Sequence, residues 1–205
     1  MTAKLVFKRI FDLLVLFFSH ALLAPIWLFL WVVIPLSIIT ESGFPVFYKQ
    51  ERAGKDGKVF NALKFRTMVK NADDLGPTWS IPNDPRITKI GRILRPTALD
   101  ELPQIINILK GEMSFVGPRA LAQKEIDELS LRFVSLHKRF LVPAGLTGLA
   151  QLNAHRDDIE GKIRNDIEYV ENFSLWMDVT IILRSIYRTF RAKWDDSIDR
   201  RQDSR

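Results

Sequence analysis

The sequence predicts an α+β protein in which an apolar N-terminal membrane helix leads into a mainly helical domain carrying a small β-hairpin. Three observations predict it. Residues 13–39 contain no Asp, Glu, Lys or Arg. Two short extended stretches, 45–48 and 59–65, flank the turn-forming run Ala53-Gly54-Lys55-Asp56-Gly57-Lys58. Apolar residues further on recur at helical spacing, most clearly at 175, 179, 182, 183, 186 and 190. The boundary between membrane segment and domain falls at about residue 40, giving 1–40 and 41–205.

The apolar segment is long enough to span hydrocarbon, which calls for about 20 residues. It is too long for a signal peptide, and no small-residue cleavage site follows it. Phe, Leu, Trp and Ile lie on all its faces, more than a soluble domain of this size can cover. Pro25, near its middle, predicts a kink, because proline removes one helical hydrogen bond and clashes with the preceding turn. Pro35 is a second interruption. Basic residues flank both ends, Lys4, Lys8 and Arg9 before it and Lys49, Arg52 and Lys55 after it. The charge rule therefore selects no spanning direction. A spanning and a re-entrant helix both remain open, with spanning slightly favoured by the residues alone.

The elements after the segment follow in order. The stretches 45–48 and 59–65 read as strands of a hairpin. Gly76, Pro77, Pro82 and Pro85 make 71–89 a loop. Leu102 to Leu109 reads as a helix ended by Gly111, with Pro103 tolerated in its first turn. Residues 120–139 read as one charged amphipathic helix, and 175–192 as a long closing helix. Trp176 and Tyr187, with Arg184, Arg188, Arg191 and Lys193, suit that last helix to a membrane interface. An ordinary core-facing helix with a solvated basic face fits it equally.

Composition narrows the chemistry. The chain is 47% hydrophobic and 26% charged over 205 residues, with a formal net charge of +6, which favours anionic partners. It has no cysteine, which excludes disulfides and thiolate metal sites. His20, His137 and His155 are too far apart in sequence to suggest a zinc site, and no common glycine-rich phosphate loop is present.

The most informative feature is the carboxylate pair Asp100-Glu101 at a loop-to-helix junction. Acidic residues in a first helical turn often only cap it. Here basic residues at turns surround the pair in sequence: Arg95, Arg119 in a Gly-Pro-Arg turn, Lys64 and Arg66 in KFRTM, and Arg156 after the glycine-punctuated run 143–155. Arginine grips phosphate through a planar fork, so a phosphate-bearing substrate is expected. Neighbouring carboxylates on a helix point in different directions, so one can act as a nucleophile while the other binds a metal or handles a proton.

The order of segments resembles the monotopic phosphoglycosyl transferases, the bacterial sugar transferase family that starts lipid-linked glycan assembly. FKRIFDLLV at 7–15, the Pro-broken apolar stretch, KFRTM at 64–68, 84–120 with its LDELPQ and GPRA runs, PAGLTGLAQLN at 143–153 and DIEYVENFSLWMD at 166–178 carry the resemblance. It implies a re-entrant helix over 1–40 with both ends cytoplasmic, against the residue-based preference for spanning. It also implies a cytosolic transferase domain over 41–205 at the cytoplasmic face of the bacterial cell membrane. Ala24-Pro25 stands where the family usually has Ser-Pro, and Ala120 where it often has proline. The resemblance implies Asp100 as the nucleophile, Glu101 as the second acid of a dyad at Mg²⁺, Arg95, Arg119 and Arg156 as diphosphate or nucleotide ligands, and Lys64 as orienting the dyad. The implied partners are a nucleotide diphosphosugar such as a UDP-sugar, polyprenyl phosphate and membrane lipid, without nucleic acid. A homodimer is compatible with all of this. The rival readings are a lipid-pyrophosphate phosphatase and a basic lipid-binding module.

Overall fold

A computed structural model describes residues 2–72, 74–76, 81, 84–155, 158–192 and 194. The apolar N-terminal region forms two helices, α1 (Thr2–Leu22) and α2 (Ala24–Ser42). The break falls at Leu23, whose φ and ψ are −112° and 25° and which offers no side-chain cap. Pro25 therefore sits in the first turn of α2, where its missing N–H would have been unpaired anyway. Pro35 is inside α2. The hydroxyls of that helix turn back onto its own carbonyls, Ser37 onto Val33 O at 2.8 Å and Ser42 onto Ile38 O at 3.1 Å. This is the usual arrangement for a hydroxyl in apolar surroundings.

Strands β1 (Phe47–Ala53) and β2 (Val59–Phe65) form a two-stranded sheet across a short 3₁₀ turn. The first strand begins two residues later than the sequence suggests and runs on to Ala53. Next come α3 (Lys89–Leu94), a 3₁₀ turn at Leu99–Glu101 and α4 (Gln104–Lys110). Gly111, at φ 82°, stops α4 in the left-handed conformation that glycine adopts without strain. Strand β3 (Met113–Val116) follows, then α5 (Gln123–Ser130), a 3₁₀ segment (Val134–Leu141) and β4 (Ala144–Thr147). The expected single helix over 120–139 is thus two pieces, parted at 131–133, where Phe133 is extended at φ −130° and ψ 97°. The chain closes with α6 (Leu149–Asn153), α7 (Ile159–Asn172) and α8 (Leu175–Phe190).

Strands β3 and β4 pair in parallel, with Met113 opposite Ala144 and Val116 opposite Thr147. Parallel neighbours need a long crossover, which α5 and the 3₁₀ segment supply. The glycines of the two turns found in the sequence are explained here. A Cβ on Gly145 would lie 2.1 Å from Gly117 N, so backbone packs directly on backbone.

The chain divides into two compact units. The first takes in α1, Lys49–Leu63 and Gln104–Ile186. Its core gathers Val116, Val142, Leu149, Tyr169, Val170, Phe173 and Ile181, with a second cluster around Phe60, Ile108 and Met113. It also buries charge. Lys8 Nζ donates to Asp178 Oδ2 at 2.6 Å and to the Tyr169 hydroxyl at 2.9 Å, and Tyr169 donates to Asp178 Oδ1 at 2.7 Å. Asp12 accepts from the Ser114 hydroxyl and from Phe115 N. Helix α1 is therefore turned inside out: Lys8 and Asp12 are buried while Phe7, Ile10, Leu14, Phe17 and Phe18 are exposed.

The second unit takes in Leu23–Tyr48, Lys64–Pro103 and the end of α8 from Tyr187. Its core sets Ile34 and Ile38 of α2 against Val46, Phe65 and Leu94, with Leu99 and Leu102 packed alongside. Leu30, Trp31 and Ile39 of α2 pack alongside it, whereas Ile26, Leu28, Phe29 and Leu36 are exposed. Among the described helices α2 is the one long and apolar enough to cross a membrane.

Asp84 and Arg86 make a buried fork in this unit, Arg86 Nε on Oδ1 at 2.9 Å and Nη2 on Oδ2 at 2.7 Å. The Arg86 side chain, with the Arg86 and Ile81 backbone N–H groups, holds the Asp84 carboxyl down to about 2 against the opposing effect of burial. The unfolded value is about 3.9. The folded value is lower, so the stability this group contributes is full above pH 4 and disappears as pH falls towards 2. Asp84→Asn should therefore lower the thermal midpoint at pH 7 and close most of its gap to the parent at pH 2.5. A gap independent of pH would show that the carboxylate's charge is not what stabilises this loop.

Candidate functional site

The carboxylate pair sits on a ladder of short turns. Thr88 caps α3 by accepting from Gly91 N at 3.0 Å. Gly91 lets α3 lie against the strand exit, since a Cβ there would meet Thr67 O at 2.2 Å. Arg95 ends α3, its N–H on Gly91 O, and Ala98 N closes the next turn on Arg95 O at 3.1 Å. Ala98 is left-handed at φ 54° and starts the 3₁₀ turn carrying Asp100 and Glu101. The flanking Leu99 and Leu102 pack on the second unit's core, which leaves both carboxylates half-buried at its edge. In a turn of three residues the two side chains diverge by about 120°, as separate roles require.

Lys64, at the end of β2, donates from Nζ to Glu101 Oε1 at 2.6 Å, the two side chains being 19% and 13% exposed. The structure thus brings together Lys64 and Glu101, and it places Arg95 and Asp100 in the same unit. Arg119 belongs to the first unit, exposed just beyond β3. Its backbone bridges to Gly145, and its carbonyl accepts from Arg139 Nη2 at 2.9 Å, Arg139 being held in turn by Asp166 at 2.5 Å. Arg156 lies outside the described residues. Arg66, grouped by the sequence with the basic turn residues, is buried. Its guanidinium is directed to the end of α2, where Nη2 donates to Ser42 O, Ser42 Oγ and Gly43 O.

The donor chemistry fits a hard divalent cation. Mg²⁺ is commonly held by one or two carboxylates, with water and substrate phosphates completing the shell, and Asp100 and Glu101 offer two carboxylates from one partly open turn. Among the described residues no group of three His, Asp or Glu could form a closed cage.

Sequence reasoning missed the buried charges. Lys8 and Asp12, four apart at the edge of an apolar helix, were the available signal, because charge is seldom buried unless paired. Asp178 carried no comparable mark in α8. That helix turns Asp178, Ile181 and Ser185 inward and leaves Trp176, Leu183, Tyr187 and Phe190 exposed, Trp176 by 78%. The apolar stripe expected to face a core is therefore largely exposed, Leu183 by 62% and Phe190 by 85%, and the inward face is the one carrying Asp178 and Ser185.

The features define an α+β protein with an apolar helix of membrane-crossing length and a paired-carboxylate turn braced by a lysine. Comparison with known proteins gives the family: residues 3–192 match the bacterial sugar transferase family, and the chain belongs to it. Three relatives show the range. A UDP-glucose:undecaprenyl-phosphate glucose-1-phosphate transferase of Klebsiella pneumoniae is 38% identical over 196 residues, 93% of this chain and 41% of that protein. A UDP-N-acetylgalactosamine-undecaprenyl-phosphate N-acetylgalactosaminephosphotransferase of Aeromonas hydrophila is 37% identical over 183 residues, 87% of this chain and 42% of that protein. A UDP-glucose:undecaprenyl-phosphate glucose-1-phosphate transferase of Caulobacter vibrioides is 38% identical over 185 residues, 87% of this chain and 68% of that protein. The chain thus spans about two fifths of the length of the first two.

Proposed function

We propose that this chain transfers a sugar 1-phosphate from a UDP-sugar to undecaprenyl phosphate through a covalent intermediate on Asp100. The observation that carries the reading is the turn bearing Asp100 and Glu101, with Lys64 on Glu101, inside a chain that matches the family over nearly its whole length. The relatives named above differ in their sugar and share a UDP donor and undecaprenyl phosphate in their names, so the donor class is proposed and the sugar is left open.

In the first step an Asp100 carboxylate oxygen attacks the phosphorus attached to the sugar. The bond from that phosphorus to the bridging oxygen breaks, and UMP leaves. In the second step a phosphate oxygen of undecaprenyl phosphate attacks the same phosphorus. The aspartyl P–O bond breaks, the carboxylate is restored, and the lipid diphosphosugar departs. An anion attacking an anion needs its repulsion offset. Arg95, in the same unit as Asp100, serves the diphosphate by fork contacts, Arg119 and Arg156 being the further candidates that the family resemblance implies, and Lys64 holds Glu101 in place. Mg²⁺, held by Asp100 and Glu101, would neutralise charge on the transferring phosphoryl group.

For the membrane, Pro25 beside the break at Leu23 and basic residues on both flanks support a re-entrant α1–α2 segment at the cytoplasmic face. The lipid-pyrophosphate phosphatase is the second reading, and it would release inorganic phosphate instead of UMP.

The test uses full-length protein in bilayers with undecaprenyl phosphate and either UDP-glucose or UDP-N-acetylgalactosamine. UMP release matched by lipid diphosphosugar is expected, falling at least about tenfold in chelator and returning with Mg²⁺ or Mn²⁺. Phosphate release from undecaprenyl diphosphate without UMP would establish the phosphatase. Topology is tested by Thr2→Cys and Lys49→Cys, unambiguous in a chain with no cysteine. An impermeant thiol reagent on intact cells should label neither. Labelling of Thr2→Cys alone would mean that the segment crosses the bilayer.

A further inference from the structure

Helix α2 and the carboxylate turn belong to the same unit, and three ties join them. The first is apolar: Ile34 and Ile38 of α2 pack with Phe65 and Leu94, and Leu99 and Leu102, which flank the carboxylates, pack on the same cluster. The second is Glu41, in the last turn of α2. Its carboxylate accepts from Lys89 N at 2.6 Å and Ile90 N at 2.9 Å. These are the opening N–H groups of α3, the helix that continues by successive turns to Asp100. A carboxylate at this end is favoured by both hydrogen bonding and the helix dipole. The third is Arg66, 7% exposed, which binds the closing carbonyls of α2 at Ser42 and Gly43. Two residues earlier, Lys64 binds Glu101. One short strand exit therefore grips the membrane helix with one side chain and the carboxylate pair with another.

Arg66 also shows that this tie is specific. Its Nε and Nη1 are buried without a hydrogen-bond partner, and burial lowers its pKa. A buried cation with unused donors is costly. The arrangement is accounted for if the grip on α2 is what the residue contributes.

We infer that Glu41 and Arg66 are positioning residues that lock the carboxylate turn to the C-terminal end of α2, so that the seating of α2 in the bilayer sets the height at which Asp100 meets a lipid-borne phosphate. The inference rests on the proposed transferase reading for its chemistry. A water-soluble donor reaches Asp100 whatever its height. A phosphate fixed to a lipid reaches it only at the headgroup plane. Loosening the lock should therefore spare the first half-reaction and impair the second.

The experiment compares the parent with Glu41→Gln and Arg66→Met in bilayers of 14-carbon and 20-carbon acyl chains. Glu41 is exposed, so its variant keeps the core intact, and Arg66→Lys tests whether charge without the fork suffices. Adduct formation on Asp100 from UDP-sugar is expected to stay within about twofold, while kcat/KM for undecaprenyl phosphate falls at least about tenfold. The parent's dependence on bilayer thickness should flatten in the variants. Arg66→Lys should fall between Arg66→Met and the parent, because a point charge reaches fewer of the carbonyls. In parallel, a fluorophore on Arg92→Cys, exposed on α3, reports its distance to lipid-borne acceptors. That distance should be narrow in the parent background and broad with Glu41→Gln. Equal loss of both half-reactions, or unchanged transfer and distance, would overturn the inference. If the parent forms no adduct and transfers nothing, the transferase reading fails, and the fluorescence distances still decide whether the lock exists.

Discussion

Asp100→Asn is expected to reduce transfer to undecaprenyl phosphate by at least about a thousandfold, since the amide is not a competent nucleophile and groups that act as a unit cannot replace it. The substitution keeps size and shape on a half-buried turn whose backbone is fixed by Leu99, Leu102 and the Ala98–Glu101 hydrogen bond, so folding should be little changed. Intact-protein mass spectrometry after mixing with UDP-sugar should find a sugar-phosphate adduct on the parent chain and none on the variant. Glu101→Gln should also lose most turnover, and the Lys64 contact at 2.6 Å supplies the reason: the amide gives up an ion pair at the edge of the core. Full activity in Asp100→Asn would remove Asp100 from the mechanism, whatever happens at Glu101.

The largest expected loss of stability comes from Asp178→Ala. Lys8 is 1% exposed and its partner Asp178 0%, so the variant leaves a buried ammonium with the Tyr169 hydroxyl as its hydrogen-bond partner and the Asp12 carboxylate, one turn away, as its remaining countercharge. Removing one member of a buried pair costs about 3–5 kcal/mol. Tyr169 sharpens this, for burial and the nearby Asp178 raise its pKa, keeping it a neutral donor that cannot replace the lost negative charge. The double variant Lys8→Met/Asp178→Leu removes both charges at similar volume and should recover part of the loss, the remainder reflecting Asp12, which gives up Lys8 as countercharge. Thermal unfolding of Asp178→Ala, of the single variants Lys8→Met and Asp178→Leu, and of the double variant in detergent measures the difference. A double variant as unstable as the sum of the singles would mean that the ion pair is not the unit of stability here.

Much of the local structure was legible. The alternation of apolar segment, hairpin and helices follows from patterning that needs no partner: uncharged residues over 13–39, Gly and Asp between two strands, and Gly111 after the α4 turn. The misread stretch, 120–139, shows the limit. Its charges fit helical spacing throughout, yet β3 and β4 must be joined by one crossover and the chain bends at 131–133 to close it. The burial of Lys8, Asp12 and Asp178 was missed. Lys8 and Asp12 stood out against an apolar helix, whereas Asp178 looked like any charge on an amphipathic one.

The sequence by itself determined the uncharged apolar segment, the proline that interrupts it, the carboxylate pair at a turn and Gly111 beyond it, because each depends on residue type and near-neighbour spacing. That the segment is two helices parted at Leu23 came from the structure. Tertiary structure decided which basic residue does what. Lys64 and Arg66 are alike in sequence, but one meets Glu101 and the other the end of α2. It also decided that Lys8 pairs with a residue 170 positions away. The reason is physical: a charge's role is set by the dielectric around it and the partner within reach, and in a packed chain both come from segments that spacing along the sequence does not bring together.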